Sequence, residues 1–125
     1  MESMSDKPNV ALLGCGYWGK NLARNFHELR ALSCVCDPSE SGRATASAIA
    51  DGVQTTDQFE TVFRDSEIDA VAIATPAPSH FELAAEALRA GKDVFVEKPM
   101  TLHADEADQL QEIAKEQQRV LMVGH

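Results

Sequence analysis

Five short runs, at residues 10–13, 32–36, 70–74, 94–96 and 120–123, are apolar almost throughout. A strand with one wet face alternates apolar and polar residues. A strand covered on both faces does not need to. These runs therefore predict parallel strands buried between two layers, and residues 52–55 add a weaker extended piece. Helical patterns fill the gaps, at residues 18–29, 39–50, 58–63, 81–90 and 105–117. Phe81, Ala84, Ala85 and Leu88 form one stripe, and Ala107, Leu110, Ile113 and Ala114 form another. Such spacing marks a helix with a single buried face. Strands alternating with helices build right-handed βαβ units. The expected fold class is thus α/β, a doubly wound parallel sheet with strand order 3-2-1-4-5-6.

Local signals place the helix ends. Ser79-His80-Phe81-Glu82 has the form of a capping box. Asp37 caps the second helix, with Pro38 at its first position. Gly91 stops the fourth helix.

The whole chain narrows the function classes. Its 125 residues suit one domain, read as a polar tail over residues 1–9 and a domain over 10–125. Twenty acidic and 11 basic residues give a formal net charge of -9. That field repels nucleic acid and anionic membrane surfaces, so neither is an expected partner. No run reaches the length of about 18 apolar residues needed to span a bilayer. The start is polar and lacks the apolar core of a secretory signal. Cys15, Cys34 and Cys36 make an odd set, expected as reduced thiols in the cytoplasm. Cys34 and Cys36 would share one strand face as inert core residues, and no metal site is expected.

The chemistry gathers where strands end. Gly14-Cys15-Gly16-Tyr17-Trp18-Gly19 follows the first strand and opens the first helix. Gly14 permits the tight turn, Gly16 lets a pyrophosphate approach the backbone, and Gly19 lets the helix pack closely. The helix N-terminus then offers free N–H groups and a positive dipole end. This is the dinucleotide loop of a Rossmann fold, although a glycine-rich turn can also serve packing alone. Asp37 closes the second strand about 20 residues further on. Its carboxylate suits the ribose hydroxyls of NAD and repels the 2′-phosphate of NADP, making NADP the less favoured cofactor. The cap role can coexist with that one. Arg43 lies too far along the helix to be a firm 2′-phosphate ligand. Ala74-Thr75-Pro76 and Glu97-Lys98-Pro99 end the fourth and fifth strands, on the edge where open α/β sheets bind ligands. Lys98 can donate to a substrate oxygen, or be a surface lysine paired with Glu97. A cis bond is expected at Lys98–Pro99.

These segments together resemble the glucose–fructose oxidoreductase / inositol dehydrogenase / MocA family, over nearly all of residues 10–125. The resemblance implies a second, C-terminal α/β domain that this chain lacks, so that the chain is truncated and inactive alone. It implies hydride transfer between a nicotinamide cofactor and a secondary alcohol of a sugar, nucleotide sugar or cyclitol, by a cytoplasmic homo-oligomer. Lys98 is then the catalytic residue of this half. Gly14, Gly16, Tyr17, Trp18, Gly19, Asp37, Ala74, Thr75, Pro76, His80, Glu97 and Lys98 are the cofactor contacts. The family's catalytic histidine belongs to the other domain. His80 is expected near the cofactor edge, His103 in solvent, and His125 on the substrate side. The stretch at residues 16–21 and the ending at 121–125 resemble the branch that oxidises UDP-linked N-acetylated sugars at C3. Inositol dehydrogenase is the near alternative. A non-catalytic dinucleotide-binding module and an inactive fragment are the remaining readings.

Overall fold

The computed structural model describes residues 8–124. Most of the polar tail and His125 lie outside the described residues. The elements are β1 (Val10–Leu13), α1 (Gly19–Glu28), β2 (Leu32–Cys36), α2 (Glu40–Ile49), β3 (Gln54–Thr56), α3 (Phe59–Arg64), β4 (Ala70–Ile73), α4 (His80–Arg89), β5 (Asp93–Val96), α5 (Ala104–Gln117) and β6 (Leu121–Val123). A 3-10 turn at Ala77–Ser79 leads into α4. All strand pairs are parallel, and the sheet order is β3-β2-β1-β4-β5-β6. The expected topology is the one observed.

The continuous apolar runs find their reason in two separate cores. Ala11 and Leu13 point into a cluster that α3, α4 and α5 complete with Val62, Leu88 and Leu110. Val10 and Leu12 point the other way, against Ala23 of α1 and Ala46 of α2. Leu12, Leu13, Ile73 and Val35 are each fully enclosed. Burial of one such side chain contributes about 2 kcal/mol. On the α1/α2 side the cover ends near β4. Phe95 is half-buried there, and Met122, its register partner on β6, is exposed.

Two caps differ from the sequence reading. Ser39, not Asp37, is the N-cap of α2, and its Oγ accepts the Gly42 N–H at 3.1 Å. Asp37 lies two residues earlier, where its Oδ1 accepts from both the Ser39 N–H and the Ser39 hydroxyl, each at 2.9 Å. Pro38 therefore precedes the helix. The Ser79 capping box does not form. Because the 3-10 turn puts Ser79 in helical conformation, its hydroxyl turns back to the Thr75 hydroxyl and the Pro76 carbonyl, each at 2.7 Å. The fourth helix does stop before Gly91, which sits at φ 86°.

One buried cation braces the lower sheet edge. Lys92 is 3% exposed, and its Nζ donates to the carbonyls of Asp65 and Ile68 at 2.7 and 2.8 Å. Burial pulls its pKa down, and the nearby Asp65 and Asp69 oppose that. Lys92→Met fills the same space but removes the ammonium, leaving the Asp65 carbonyl only the Ile68 N–H at 3.2 Å and the Ile68 carbonyl without its lysine donor. It should cost on the order of 2 kcal/mol in urea unfolding, with no effect on ligand binding at the opposite edge.

All three cysteines are free thiols, and Cys15 and Cys36 are buried. Burial first, and the neighbouring Cys34 and Asp37 next, push the Cys36 thiol up to about 12. A pKa raised by folding stabilises the protein fully below the unfolded value of about 8.5 and loses that contribution as pH rises towards the folded value. Unfolding free energy should therefore fall between about pH 9 and 12, by up to ~1.4 kcal/mol per unit from this group. Urea titrations across that range should show the slope reduced in Cys36→Ala.

Candidate dinucleotide-binding cleft

Chain direction brings four turns to one edge of the sheet. β1 ends at Leu13 and the backbone must reverse at once into α1. Gly14 makes the turn at φ 91°, and its N–H donates to the Cys36 carbonyl at 2.8 Å. A Cβ on Gly14 would lie 2.9 Å from the Thr75 amide nitrogen, and one on Gly19 would strike the Gly14 carbonyl. These two glycines hold the loop, the helix and the end of β4 in mutual contact. Gly16 faces open space. Among the described residues, no hydrogen bond takes up the N–H of Gly16, Tyr17 or Trp18. The first turn of α1 holds no acidic residue. Unpartnered donors, a positive dipole end and a gap without side chain fit a pyrophosphate.

Tyr17 and Trp18 stand out from the loop, 73% and 66% exposed. Their rings meet edge to face at 5.2 Å, and the Lys20 ammonium lies 5.2 Å from the Tyr17 ring centre. Trp18 walls two adjoining chambers of the cleft.

Asp37 ties the loop to α2. Its Oδ2 accepts the Cys15 N–H at 2.8 Å while Oδ1 takes both Ser39 donors. Gly42 makes room, since a Cβ there would overlap the carboxylate. Three of roughly four acceptor positions are thus in use within the chain, leaving one edge for a ribose hydroxyl. Burial and the Asp37 charge together hold the Cys15 thiol above its ordinary pKa. Arg43 reaches back to the carbonyls of Asp37 and Pro38, at 2.8 and 3.1 Å. Distance along the helix therefore does not remove Arg43 from the Asp37 end of the cleft.

Three connected chambers follow the strand ends. The first, about 230 Å³, runs past Asp37 between Lys20, Ser39, Ser41 and Thr45. The second, about 530 Å³, lies between the glycine loop, Pro38, Phe59 and Ala74-Thr75-Pro76. The third, about 310 Å³, is lined by Trp18, Ala77, His80, Glu97, Lys98 and Gly124 among others. Lys98 is exposed at its lip, and no ion pair joins it to Glu97 among the described residues. The Lys98–Pro99 bond is cis, as expected.

His80 borders the third chamber with a buried ring. Its ring is 2% exposed, with Nδ1 at 2.7 Å from the Pro99 carbonyl and Nε2 at 2.7 Å from the Thr75 carbonyl. Neither nitrogen is free for a ligand. His103 is exposed and N-caps α5 through its backbone alone. Lys20, Pro38, Ser41, Phe59, Ala77 and Gly124 line the cleft without having been named as site residues from the sequence. Gly124 alone carried a signal, as a glycine at a strand end. The others come from helix starts that only packing brings to this edge.

Residues 8–125 match the family described as an oxidoreductase family with an NAD-binding Rossmann fold. The chain is 37% identical to scyllo-inositol 2-dehydrogenase (NAD(+)) of Bacillus subtilis, with 97% of this chain and 36% of that protein covered. It is 33% identical to UDP-N-acetylglucosamine 3-dehydrogenase of Acidithiobacillus ferrooxidans, with 93% and 36% covered. The crystal structure of Synechocystis biliverdin reductase in complex with biliverdin and NADP+ superposes with a TM-score of 0.87, at 33% identity, over 94% of this chain and 37% of that one. The chain thus spans little more than a third of the relatives it matches. It belongs to the oxidoreductase family of glucose–fructose oxidoreductase, inositol dehydrogenase and MocA, as an NAD(P)-binding Rossmann domain.

Proposed function

We propose that this chain binds NAD as the cofactor half of a dehydrogenase acting on a secondary alcohol of a sugar, nucleotide sugar or cyclitol. The observation that carries the reading is the glycine loop. Three unpartnered N–H groups at a helix N-terminus open into a cleft with Asp37 at one end and Lys98 at the other. The loop holds the pyrophosphate, Asp37 meets the adenosine ribose, and Ala74-Thr75-Pro76 forms the wall beside the nicotinamide half. Glu97 and Lys98 reach the same half. The bound nicotinamide supplies hydride acceptance, while this domain supplies orientation and charge. Lys98 places an ammonium beside the carbinol oxygen, stabilises charge as it develops there and can pass on a proton. The remaining acid–base chemistry falls to a second domain of the full protein. The two dehydrogenase relatives support the substrate class. A homo-oligomer in the cytoplasm completes the reading.

The sequence holds one tryptophan, Trp18, and it borders the cleft. NADH should quench its emission and gain sensitised fluorescence, with calorimetry giving the affinity. A folded chain with a flat calorimetric trace would refute the proposal.

Asp37→Ser removes the carboxylate from the ribose end together with the three hydrogen bonds it accepts within the chain. NADH affinity should drop by about fivefold, the preference for NADH over NADPH should narrow, and stability should fall by on the order of 1–2 kcal/mol. Paired titrations with both cofactors and a thermal melt read all three effects. A wild-type preference for NADPH would count against this role.

In the full protein, Lys98→Ala should lower kcat by about 10²-fold or more while leaving NAD binding within a few-fold. Lys98→Arg should rescue poorly, since a planar fork neither fits the place of a compact ammonium nor gives up a proton. Retention of about a third of kcat by the alanine variant would leave Lys98 as a surface residue.

A further inference from the structure

We infer that His80 is a positioning residue, a two-ended strut that sets the Lys98 turn against the Thr75 turn and so shapes the nicotinamide end of the cleft. The inference rests on the dinucleotide reading above and adds a residue that touches no ligand.

The geometry is specific. His80 opens α4, yet its ring is buried and points back beneath the cleft. One nitrogen meets the carbonyl of Thr75, which follows β4, and the other meets the carbonyl of Pro99, which follows β5. Both contacts are 2.7 Å, at the short end for a nitrogen donor. Both partners are carbonyl oxygens, which only accept, so each contact is made from the ring side. β4 and β5 are paired in register up to Ile73 and Val96, and the ladder extends one step further through the Glu97 N–H to the Ile73 carbonyl. Beyond that point no backbone hydrogen bond joins the two segments among the described residues. His80 is the side chain that spans the gap. Among the described residues no hydrogen bond holds the Lys98 backbone, and Lys98 lies between Glu97, fixed by the ladder, and Pro99, fixed by the ring. A rigid flat ring with a nitrogen on each of two sides faces both carbonyls at once. A side chain with one donor end holds only one.

The consequence is local. Removing the ring acts first on the third chamber, through Thr75 and Pro99 beside Lys98, whereas among the described residues no hydrogen bond joins the ring to the glycine loop or Asp37. Two ligands separate these halves. ADP-ribose engages the loop and Asp37 only, and NADH adds the nicotinamide. Calorimetry on the 125-residue chain should show wild type binding NADH about tenfold more tightly than ADP-ribose. His80→Phe, which keeps the ring volume and removes both ring nitrogens, should bring NADH affinity down about tenfold to the ADP-ribose value. ADP-ribose affinity should change less than about twofold. His80→Gln, able to donate to one carbonyl, should restore part of the difference. A ring that merely stabilises the domain would shift the melting temperature and leave the NADH to ADP-ribose ratio as in wild type, and that result overturns the inference. Loss of the folded state in both variants overturns it too, because the ring would then be holding the core. A wild-type chain that binds neither ligand defeats the dinucleotide reading itself, whereas one that binds both with variant ratios unchanged defeats only the strut.

Discussion

The contact between the Gly14 backbone and the end of β4 organises this molecule. Gly14 turns at φ 91°, gives its N–H to the Cys36 carbonyl of β2, and lies where a side chain would press on the Thr75 amide. Three strand ends therefore meet at a point with no room for a Cβ. Gly19 repeats the condition one helical turn later, against the Gly14 carbonyl. With the loop held that tightly, α1 starts close to the sheet edge, and its unsatisfied N–H groups face outward instead of into the core. A free helix end inside a protein is costly. Here it opens onto a cleft where an anion can satisfy it.

Around that point the fold separates stability from binding. Parallel strands bury both faces, so Ala11 and Leu13 serve one core while Val10 and Leu12 serve the other. Those cores hold the strands in register and leave their C-terminal ends as the place where turns diverge. The polar ties at these ends are short and specific: Asp37 to Cys15 and Ser39, Ser79 to Thr75, and His80 to Thr75 and Pro99. Each joins one turn to another, or to the start of a helix. Rigid elements below and crosslinked turns above give a site whose donors are placed before any ligand arrives, which lowers the entropic cost of binding.

The places where sequence reasoning departed from the structure share a cause. Asp37 and Ser79 both precede helices and both carry good capping oxygens. Local preference assigns each to its own helix. In the folded chain Asp37 finds a better donor 22 residues away, the Cys15 N–H, and Ser39 takes the cap. The 3-10 turn before α4 leaves Ser79 with helical φ and ψ, so its hydroxyl bonds backward. His80 reads from the sequence as a first-turn residue near the cofactor edge, because nothing nearby in sequence announces the Pro99 carbonyl, 19 positions on. Local pattern does not encode which distant backbone group will sit within 3 Å. Lys20, Phe59 and Ala77 entered the cleft lining for the same reason.

Amino-acid order alone determined the α/β class, the strand order and the position of the glycine loop. Those depend on periodicity, on the absence of Cβ atoms and on the fixed hand of crossovers, which are properties of short segments. It also marked Asp37, Thr75 and Lys98, because they sit at strand ends and strand ends are visible as breaks in apolar runs. Tertiary structure decided how those groups are spent. Only in the packed sheet does the Asp37 carboxylate commit three of its acceptor positions to the chain, and only there does the His80 ring find two carbonyls on opposite sides. Hydrogen-bond partners between strand ends are chosen by three-dimensional proximity, which the two cores impose and no single segment contains.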